Sequence, residues 1–429
     1  MKRLLLFAAK LGYQTRAFDA AAKKLGVELV FVTDRCHRLD DPWRDRALPV
    51  HFESPQEAAH AVLESQRGAQ VDGILVLGDR PGPAAAYAAS GLGIFHNLPV
   101  SVEAARNKLR MREVLRDAGL PVPRFRQITL LPIPEPAFLD MQYPCVLKPL
   151  SLSASQGVVR ANNREEFLAA ATRIKRLLES PEIRATREPH LDRILAEDYL
   201  PGREVAVEAI LTQGSLRILA IFDKPDPLEG PYFEETIYVT PSRFSEVEQR
   251  AIRHSLQSSV HAFGFVHGPI HAEFRINEAG VWPIEIAPRP IGGLCARSLQ
   301  FQLASSDERI ALEELLLRHA LELPGADAQR EVAASGVMMI PVPRSGILEK
   351  VKGTESAQKT PGVTSIEITA RIYDHIAVWP DGSSYLGFIF AQAKTPAQVE
   401  TALRAAHAQL QFTITPRLPV EHPVTGKIH

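Results

Sequence analysis

The chain opens with three compact apolar runs, LLLFAA (4–9), ELVFVT (28–33) and GILVLG (73–78), separated by alanine-rich stretches near 13–25 and 55–67 that carry helical spacing. Short continuous apolar runs of this kind suit strands buried on both faces. Their alternation with helices predicts a parallel sheet covered by helices. Ligands of such sheets collect beyond the carboxyl ends of the strands, which makes Gly78-Asp79-Arg80 a candidate substrate lip. Ordinary turn chemistry explains Asp79 and Gly82 equally well.

Further along, a helix is expected from Ser101, a capping residue, to Gly119 ahead of Pro121. Pro132, Pro134, Pro136 and Pro144 mark 130–144 as a connector. YPCVLKP (143–149) reads as a strand and leads into the small, polar stretch SLSASQG. A helix near 163–179 and strands at 193–200 and 203–211 follow.

The segments 271–277 and 281–287 read as strands joined by a three-residue loop, Glu278-Ala279-Gly280, with glycine in the left-handed position. That register sets Asn277 across from Val281 and Glu273 across from Glu285. Strand signals recur at 336–342, 363–370 and 385–391. A helix then opens at Thr395-Pro396, with Gln398 as its capping-box partner. The expected division is an α/β domain over 1–100, a central domain over 101–325 and an α+β domain over 326–429.

Composition narrows the function classes. Lysine and arginine number 49 against 50 acidic residues, a formal charge of -1, which argues against a general nucleic-acid or membrane-surface binder. Cys36, Cys145 and Cys295 show no CxxC spacing, so a reduced protein without structural zinc is expected. The start, MKRLLLFAAK, has an apolar run that Lys10 ends too early for a signal peptide. No stretch approaches the ~20 apolar residues that span a bilayer. The expectation is a cytoplasmic protein.

Two like charges facing one another on a sheet are destabilising unless something offsets them. For Glu273 and Glu285 the natural answer is a divalent cation such as magnesium, which takes one or two carboxylates together with substrate phosphates; the alternative is a hairpin whose glutamates are merely solvated. Arg289 shares a face with Glu285 in an extended chain and is placed to hold a phosphoryl oxygen or a developing negative charge. Pro288 and Pro290 stiffen it, while Gly292 and Gly293 let backbone approach a ligand. Lys148 ends an apolar strand, where an ammonium needs a partner such as phosphate. Lys108 lies in the first turns of a helix, a position equally suited to a solvated lysine. Ser155, Gln156 and Gly157 offer hydroxyl and backbone donors to phosphates. In AEDYLPGREVAVE, Glu197 ends one strand, Leu200 opens a turn and Glu204 begins the next strand, an arrangement able to serve an adenine and a ribose.

The order of NKLRMREVLRDAGLPVP, YPCVLKP with SASQGV, ILAEDYLPGREVAVE, and HAEF followed by IEIAPRPIGG resembles the ATP-grasp superfamily over about 100–300. The resemblance implies a Rossmann-like parallel-sheet N-terminal domain, a two-lobed domain that clamps ATP, and a small C-terminal α+β domain. It implies that Lys108 and Lys148 contact ATP phosphates, with Lys148 also serving in catalysis. Ser155, Gln156 and Gly157 would cover the phosphates, Glu197 and Leu200 would flank the adenine with Lys148 also near it, and Glu204 would serve as the ribose or adenine-side acid. Glu273 and Glu285 match the carboxylates for magnesium or manganese, and Arg289 matches the catalytic arginine. One departure is Ala287, where the family often has a metal-binding asparagine, which puts a second metal's coordination in doubt. The phosphate loop is also serine-rich rather than glycine-rich.

The implied reaction is amide formation through an acyl phosphate, giving ADP and phosphate. The chain most resembles the L-amino-acid ligases and their carnosine-synthase-like relatives, through DKPDPLEGPYFEETIYVTPS (223–242) and GILEKVKG. There Glu234 or Glu235 would pair with the ammonium of an amino-acid substrate, or would simply belong to a solvated acidic loop. Arg289, Gly292 and Gly293 complete the expected substrate side. Lys224 either approaches the acyl phosphate or lies on the surface. A biotin-carboxylase-like or phosphoribosylglycinamide-synthetase-like enzyme is the alternative within the superfamily, and a non-catalytic nucleotide-binding module the alternative outside it. A homodimer is expected only because such enzymes often form one. His267 and His271 have zinc-pair spacing, but Gly268-Pro269 opposes the helix such a pair needs. Asp34, Cys36 and His37 read as ordinary loop residues.

Overall fold

Leu4, Leu5, Leu6 and Phe7 have no exposed surface at all, which explains why the first strand is apolar without alternation. The computed structural model describes residues 1–9, 12–34, 47–130, 141–304 and 308–416. Residues 131–140 of the connector expected over 130–144 therefore lie outside the described residues, as do Cys36 and His37. Strands β1 (Arg3–Ala8), β2 (Glu28–Thr33), β3 (Ala47–Pro49) and β4 (Gly73–Leu77) pair in parallel in the order β3-β2-β1-β4. Leu4 and Leu6 point into one core, Leu5 and Phe7 into another. Helices α1 (Tyr13–Leu25) and α2 (Pro55–Ser65) intervene in the chain as the pattern predicts, and α3 (Gly82–Leu92), which it does not predict, follows β4.

The single helix expected over 101–119 is two helices, α4 (Pro99–Arg106) and α5 (Lys108–Asp117). Asn107 breaks the run: its backbone is extended (φ -100°, ψ 113°), and its side chain accepts from the N–H groups of Leu109 and Arg110. An asparagine that caps a new helix competes with continuing the old one. Lys108 thereby becomes the first residue of α5.

A four-stranded antiparallel lobe follows, built from β5 (Phe125–Thr129), β6 (Cys145–Pro149), β7 (Val159–Ala161) and β8 (Arg193–Asp198) in the order β5-β8-β6-β7. Helices α6 (Arg164–Leu178) and α7 (Pro181–Arg184) lie between its last two strands in sequence. Phe167, Ala170, Ala171 and Ile174 of α6 pack onto the lobe's core.

The largest sheet begins with β9 (Arg203–Thr212), β10 (Ser215–Asp223), β11 (Ile237–Thr240), β12 (Gly268–Asn277) and β13 (Gly280–Ala287), with α8 (Glu246–Phe263) packed beside them. Small strands β14 (Gln300–Gln302), β15 (Arg309–Ala311) and β16 (Gln329–Arg330) make a separate sheet near α9 (Leu312–Ala320). The later strands β17 (Ala334–Ile340), β19 (Val363–Ile368) and β21 (Gly387–Ala393) then extend the large sheet, whose order is β13-β12-β9-β10-β11-β17-β21-β19. β18 (Gly346–Lys352), β20 (His375–Ile376) and β22 (Gln411–Thr415) form a further small sheet. Helix α10 (Thr354–Gln358) is short, and α11 (Pro396–His407) opens with the expected Thr395/Gln398 capping box. No helix among the described residues is long and apolar enough to cross a membrane.

The β12–β13 hairpin departs instructively from its expected register. Asn277 pairs with Gly280, so the loop has two residues and the alignment near the turn is one place off the expected one. A bulge then intervenes: Phe274 pairs with Pro283 but Glu273 pairs with Glu285, leaving Ile284 as the extra residue. Pro283 has no N–H to give the ladder, and a bulge on an edge strand is where a sheet tolerates proline. The glutamates do face one another, through compensation of a shorter loop by a bulge.

Candidate active site

Lys148, at the end of β6, forms an ion pair with Glu197 of β8. Glu197 in turn accepts from Arg112 of α5, at 2.8 Å from Nε and 3.3 Å from Nη2. Burial alone would raise the Glu197 carboxyl, but Arg112 and Lys148 overcome it and bring it down to about 2. Arg112 is almost wholly buried, and its Nη1 donates to the carbonyls of Pro283 (3.0 Å) and Ile284 (3.2 Å). Those are the carbonyls at the bulge, so one guanidinium fixes both Glu197 and the hairpin that carries the opposed glutamates.

Lys108 donates from Nζ to the carbonyl of Leu152, and its backbone N–H reaches Leu150 O at 2.9 Å. Both bonds draw α5 onto the start of the serine-rich loop. In that loop Ala154, Ser155 and Gly157 all take positive φ values, 55°, 53° and 73°.

Glu273 faces Lys224 at 3.0 Å and His271 Nε2 at 3.4 Å. Burial works against its charge, yet Lys224 and His271 hold it well below the usual carboxylate range. Lys224 is buried and lies 2.8 Å from Glu204, with Glu235 as a further partner, which excludes the surface role considered for it. Oxygens of Glu204, Glu235 and Glu273 all lie within 4.8 Å of one another. Burial first, then Glu273, raises Glu235 to about 7 despite Lys224. His271 is pushed up to about 9: burial opposes its charge, and Glu208 and Glu273 more than compensate.

Arg289 follows β13 in a tight turn, its N–H bonded to Ala287 O at 2.9 Å, rather than in the extended chain expected. Its side chain nevertheless meets Glu285 at 3.1 Å, and it donates to Asp79 at 2.8 Å and 3.3 Å. The Gly78-Asp79-Arg80 lip thus divides. Asp79 turns to the arginine, while Arg80 makes structural pairs with Asp34, Glu53 (3.4 Å) and Glu188 (3.1 Å).

A partly open pocket of about 80 Å³ is lined by Lys108, Lys148, Ser155, Glu197, Leu200, Glu204, Glu273 and Glu285. Gln156 and Gly157 do not line it; they face the segment around Pro380 and Asp381. Arg289 stands behind Glu285. Glu235 belongs to the Lys224 cluster, whereas Glu234 has a buried Oε1 without a partner and lies near Val342. Gly292 is exposed. Gly293 (φ +63°) leaves no generous room, since a Cβ there would stand 3.3 Å from the Phe388 ring. His271 sits on a strand and is engaged by Glu208 and Glu273, which gives it no zinc-like setting.

Residues 141–298 match the family model described as an ATP-grasp domain, and residues 338–415 match the L-amino acid ligase C-terminal domain 2. The chain carries an ATP-grasp domain. The ATP-grasp enzyme fsqD of Aspergillus fumigatus is 27% identical over 318 residues, which is 64% of this chain and 53% of the relative. Alanine–anticapsin ligase of Bacillus subtilis is 26% identical over 191 residues, 41% of this chain and 39% of the relative. The matches thus span about half or less of these relatives' length. An L-amino acid ligase from Bacillus licheniformis superposes with a TM-score of 0.80 at 26% identity, covering 97% of this chain and 99% of the other.

Sequence reasoning missed several residues in and around this pocket. Val146, Val158 and Phe233 make its apolar wall, with Tyr199 packed beside them. They come from separate segments, and no local spacing joins them. Arg112 did leave a signal: it follows Lys108 by four residues, so the two share a helix face. His271 and Glu208 pair across β12 and β9, a register not visible in sequence.

Proposed function

We propose that this chain is an ATP-dependent carboxylate–amine ligase that forms a dipeptide-like amide through an acyl phosphate, releasing ADP and phosphate. The observation that carries this reading is the pairing of Glu273 with Glu285 beside Lys108 and Lys148, with Arg289 against Glu285. The resemblance to L-amino acid ligases over nearly the whole chain supports amino acids as substrates.

In this reading Val146, Val158 and Phe233 take the flat faces of a purine, which apolar and aromatic side chains do without regard to polar pattern. Glu197 acts chiefly by orienting Lys148, because its oxygens are already engaged by that lysine and Arg112. Lys148 and Lys108 hold phosphate oxygens. Glu273 and Glu285 present opposed carboxylate oxygens, the donor type a hard divalent cation takes, while the adjoining Glu204, Glu235 and Glu273 cluster is already balanced by Lys224, Arg275 and His271. Glu273 and Glu285 would hold it, and when bound it would neutralise charge on the transferring phosphoryl group. Ala287 offers no ligand atom.

A substrate carboxylate then takes the γ-phosphoryl group, and an amine displaces phosphate from the resulting acyl phosphate. Arg289, oriented by Asp79 and Glu285, is placed to stabilise the oxyanion of that second step.

The test is incubation of the purified protein with ATP, magnesium and pooled amino acids, followed by phosphate assay and mass spectrometry. Phosphate release that needs both a carboxylate and an amine, with a new amide mass, is the expected result. Bicarbonate-dependent release without an amine would replace this reading by a carboxylase-like one, and no turnover would leave a binding module.

A further inference from the structure

The serine-rich loop is held from outside its own lobe. Trp379 Nε1 donates to Ala154 O at 3.0 Å, Gly157 N–H donates to Pro380 O at 2.9 Å, and Gln156 Nε2 donates to Asp381 O at 3.0 Å. Arg173 of α6 grips the Asp381 carboxylate with two bonds of 3.0 and 2.7 Å, and its Nη1 reaches Tyr232 at 3.2 Å. Every one of these contacts joins the loop or its supporting helix to residues 379–381, apart from the last, which braces Arg173.

Within the loop the bonds are sparse turns, Gln156 N–H to Ser153 O (3.2 Å) and Val158 N–H to Ser155 O (3.1 Å). Two non-glycine residues in the left-handed region cost free energy and persist only where surroundings over-determine them. The partners that do so here are Trp379, Pro380 and Asp381. We propose that residues 379–381 form a latch that holds the loop closed over the phosphate end of the pocket, with Trp379, Asp381 and Arg173 as its positioning residues.

Two features make the latch releasable. Arg173 and Asp381 are each roughly half exposed, and with Gln156 they line an open cleft of about 1910 Å³, so parting them unpacks no core. The pocket, open on one side, has only about 80 Å³ of free volume with the loop in this position, whereas small-ligand pockets run to roughly 300–1,000 Å³. A nucleotide therefore enters when the loop lifts and is retained when the latch re-forms. This rests on the reading of the pocket as a nucleotide site.

The first arm of the test does not depend on that reading. Amide hydrogen exchange of peptides covering 151–158 is measured in the nucleotide-free protein for wild type, Asp381→Ala, Arg173→Ala and Trp379→Phe. Faster exchange in the loop, with β12 peptides unchanged, is expected in all three. Asp381 and Arg173 are surface residues whose loss leaves the fold intact, so unchanged loop exchange in both variants overturns the latch. In the second arm, stopped-flow mixing with a fluorescent ATP analogue and magnesium should show both association and dissociation faster, by roughly fivefold or more, the weight of one to two lost hydrogen bonds. Unaltered rates in variants whose loop exchange has risen would also refute the gating role. Failure of the wild type to bind the analogue at all would refute the nucleotide reading instead.

Discussion

Arg289 Nε donates to Asp79 Oδ1 at 2.8 Å, across 210 residues of sequence. The bond joins the carboxyl end of β4 to the end of the β12–β13 hairpin, so the N-terminal sheet orients the side chain proposed to serve the reacting group. Burial opposes both charges, and each is held in its charged form by the other. Arg289→Ala should lower kcat by roughly 10²–10³ with ATP binding little changed, the loss typical for one oxyanion donor. Asp79→Asn should keep the arginine but loosen its aim, giving a smaller drop in kcat. Steady-state kinetics with ATP and an amino-acid pair separate the two; equal kcat in Arg289→Ala and wild type would remove this residue from the chemistry.

The opposed glutamates should respond differently to substitution. Glu273 is largely covered against Lys224 and His271, which keep Glu204, Glu235 and Glu208 as partners, so Glu273→Ala removes two charged contacts and should cost stability on the order of 1–3 kcal/mol. Glu285 is more exposed and, among the described residues, forms an ion pair only with Arg289, so Glu285→Gln should fold with a Tm close to wild type. It should still need about tenfold more magnesium for half-maximal turnover, a loss of ~1.4 kcal/mol in cation binding. Thermal melts in chelator and magnesium titrations of activity check both halves. Chelator alone should abolish turnover in every variant.

That pairing shows how much of the site the sequence discloses. Motif order singled out the lysines, the loop, the opposed glutamates and Arg289 as candidates, and the structure brings Lys108, Lys148, Ser155, Glu273 and Glu285 to one pocket. The facing of Glu273 and Glu285 was legible in outcome but not in cause, since a shorter loop and a bulge at Ile284 offset one another. Local rules place a strand, whereas cross-strand partners such as His271 and Glu208 depend on which strand lies beside it. The splitting of a long helix at Asn107 was visible only as an asparagine, and asparagines are common outside caps. The joining of β17, β21 and β19 to the sheet of β9–β13 is a long-range pairing with no local signature at all.

Arg112 links the two halves of the pocket, and its removal tests that link. Arg112→Met keeps much of the volume but strands Glu197 with Lys148 as its remaining partner and frees the Pro283 and Ile284 carbonyls. Loss of one partner from a buried ion pair costs about 3–5 kcal/mol, and that loss is expected in urea denaturation. Arg112→Lys should recover little, because a lysine cannot reproduce the forked contacts. Full rescue by lysine would mean that charge alone, and not the forked geometry, is what the site requires.

The acid limb of stability should carry the signature of Glu197. Its folded carboxyl is lowered to about 2, against ~4.3 for an ordinary glutamate in an unfolded chain. A depressed carboxyl contributes stability that is fully present above the unfolded value. The contribution is lost as pH falls through the folded value, because the unfolded chain takes up the proton first. Glu197→Gln removes the titration, so the stability gap between wild type and variant should be constant from pH 7 to about 5. It should then narrow between roughly pH 4.3 and 2. Urea midpoints for the pair of proteins across that range measure the gap directly, and the common acid response of all other carboxylates cancels in the difference. A gap that stays constant down to pH 2.5 would mean that Arg112 and Lys148 do not hold this carboxylate in its charged form.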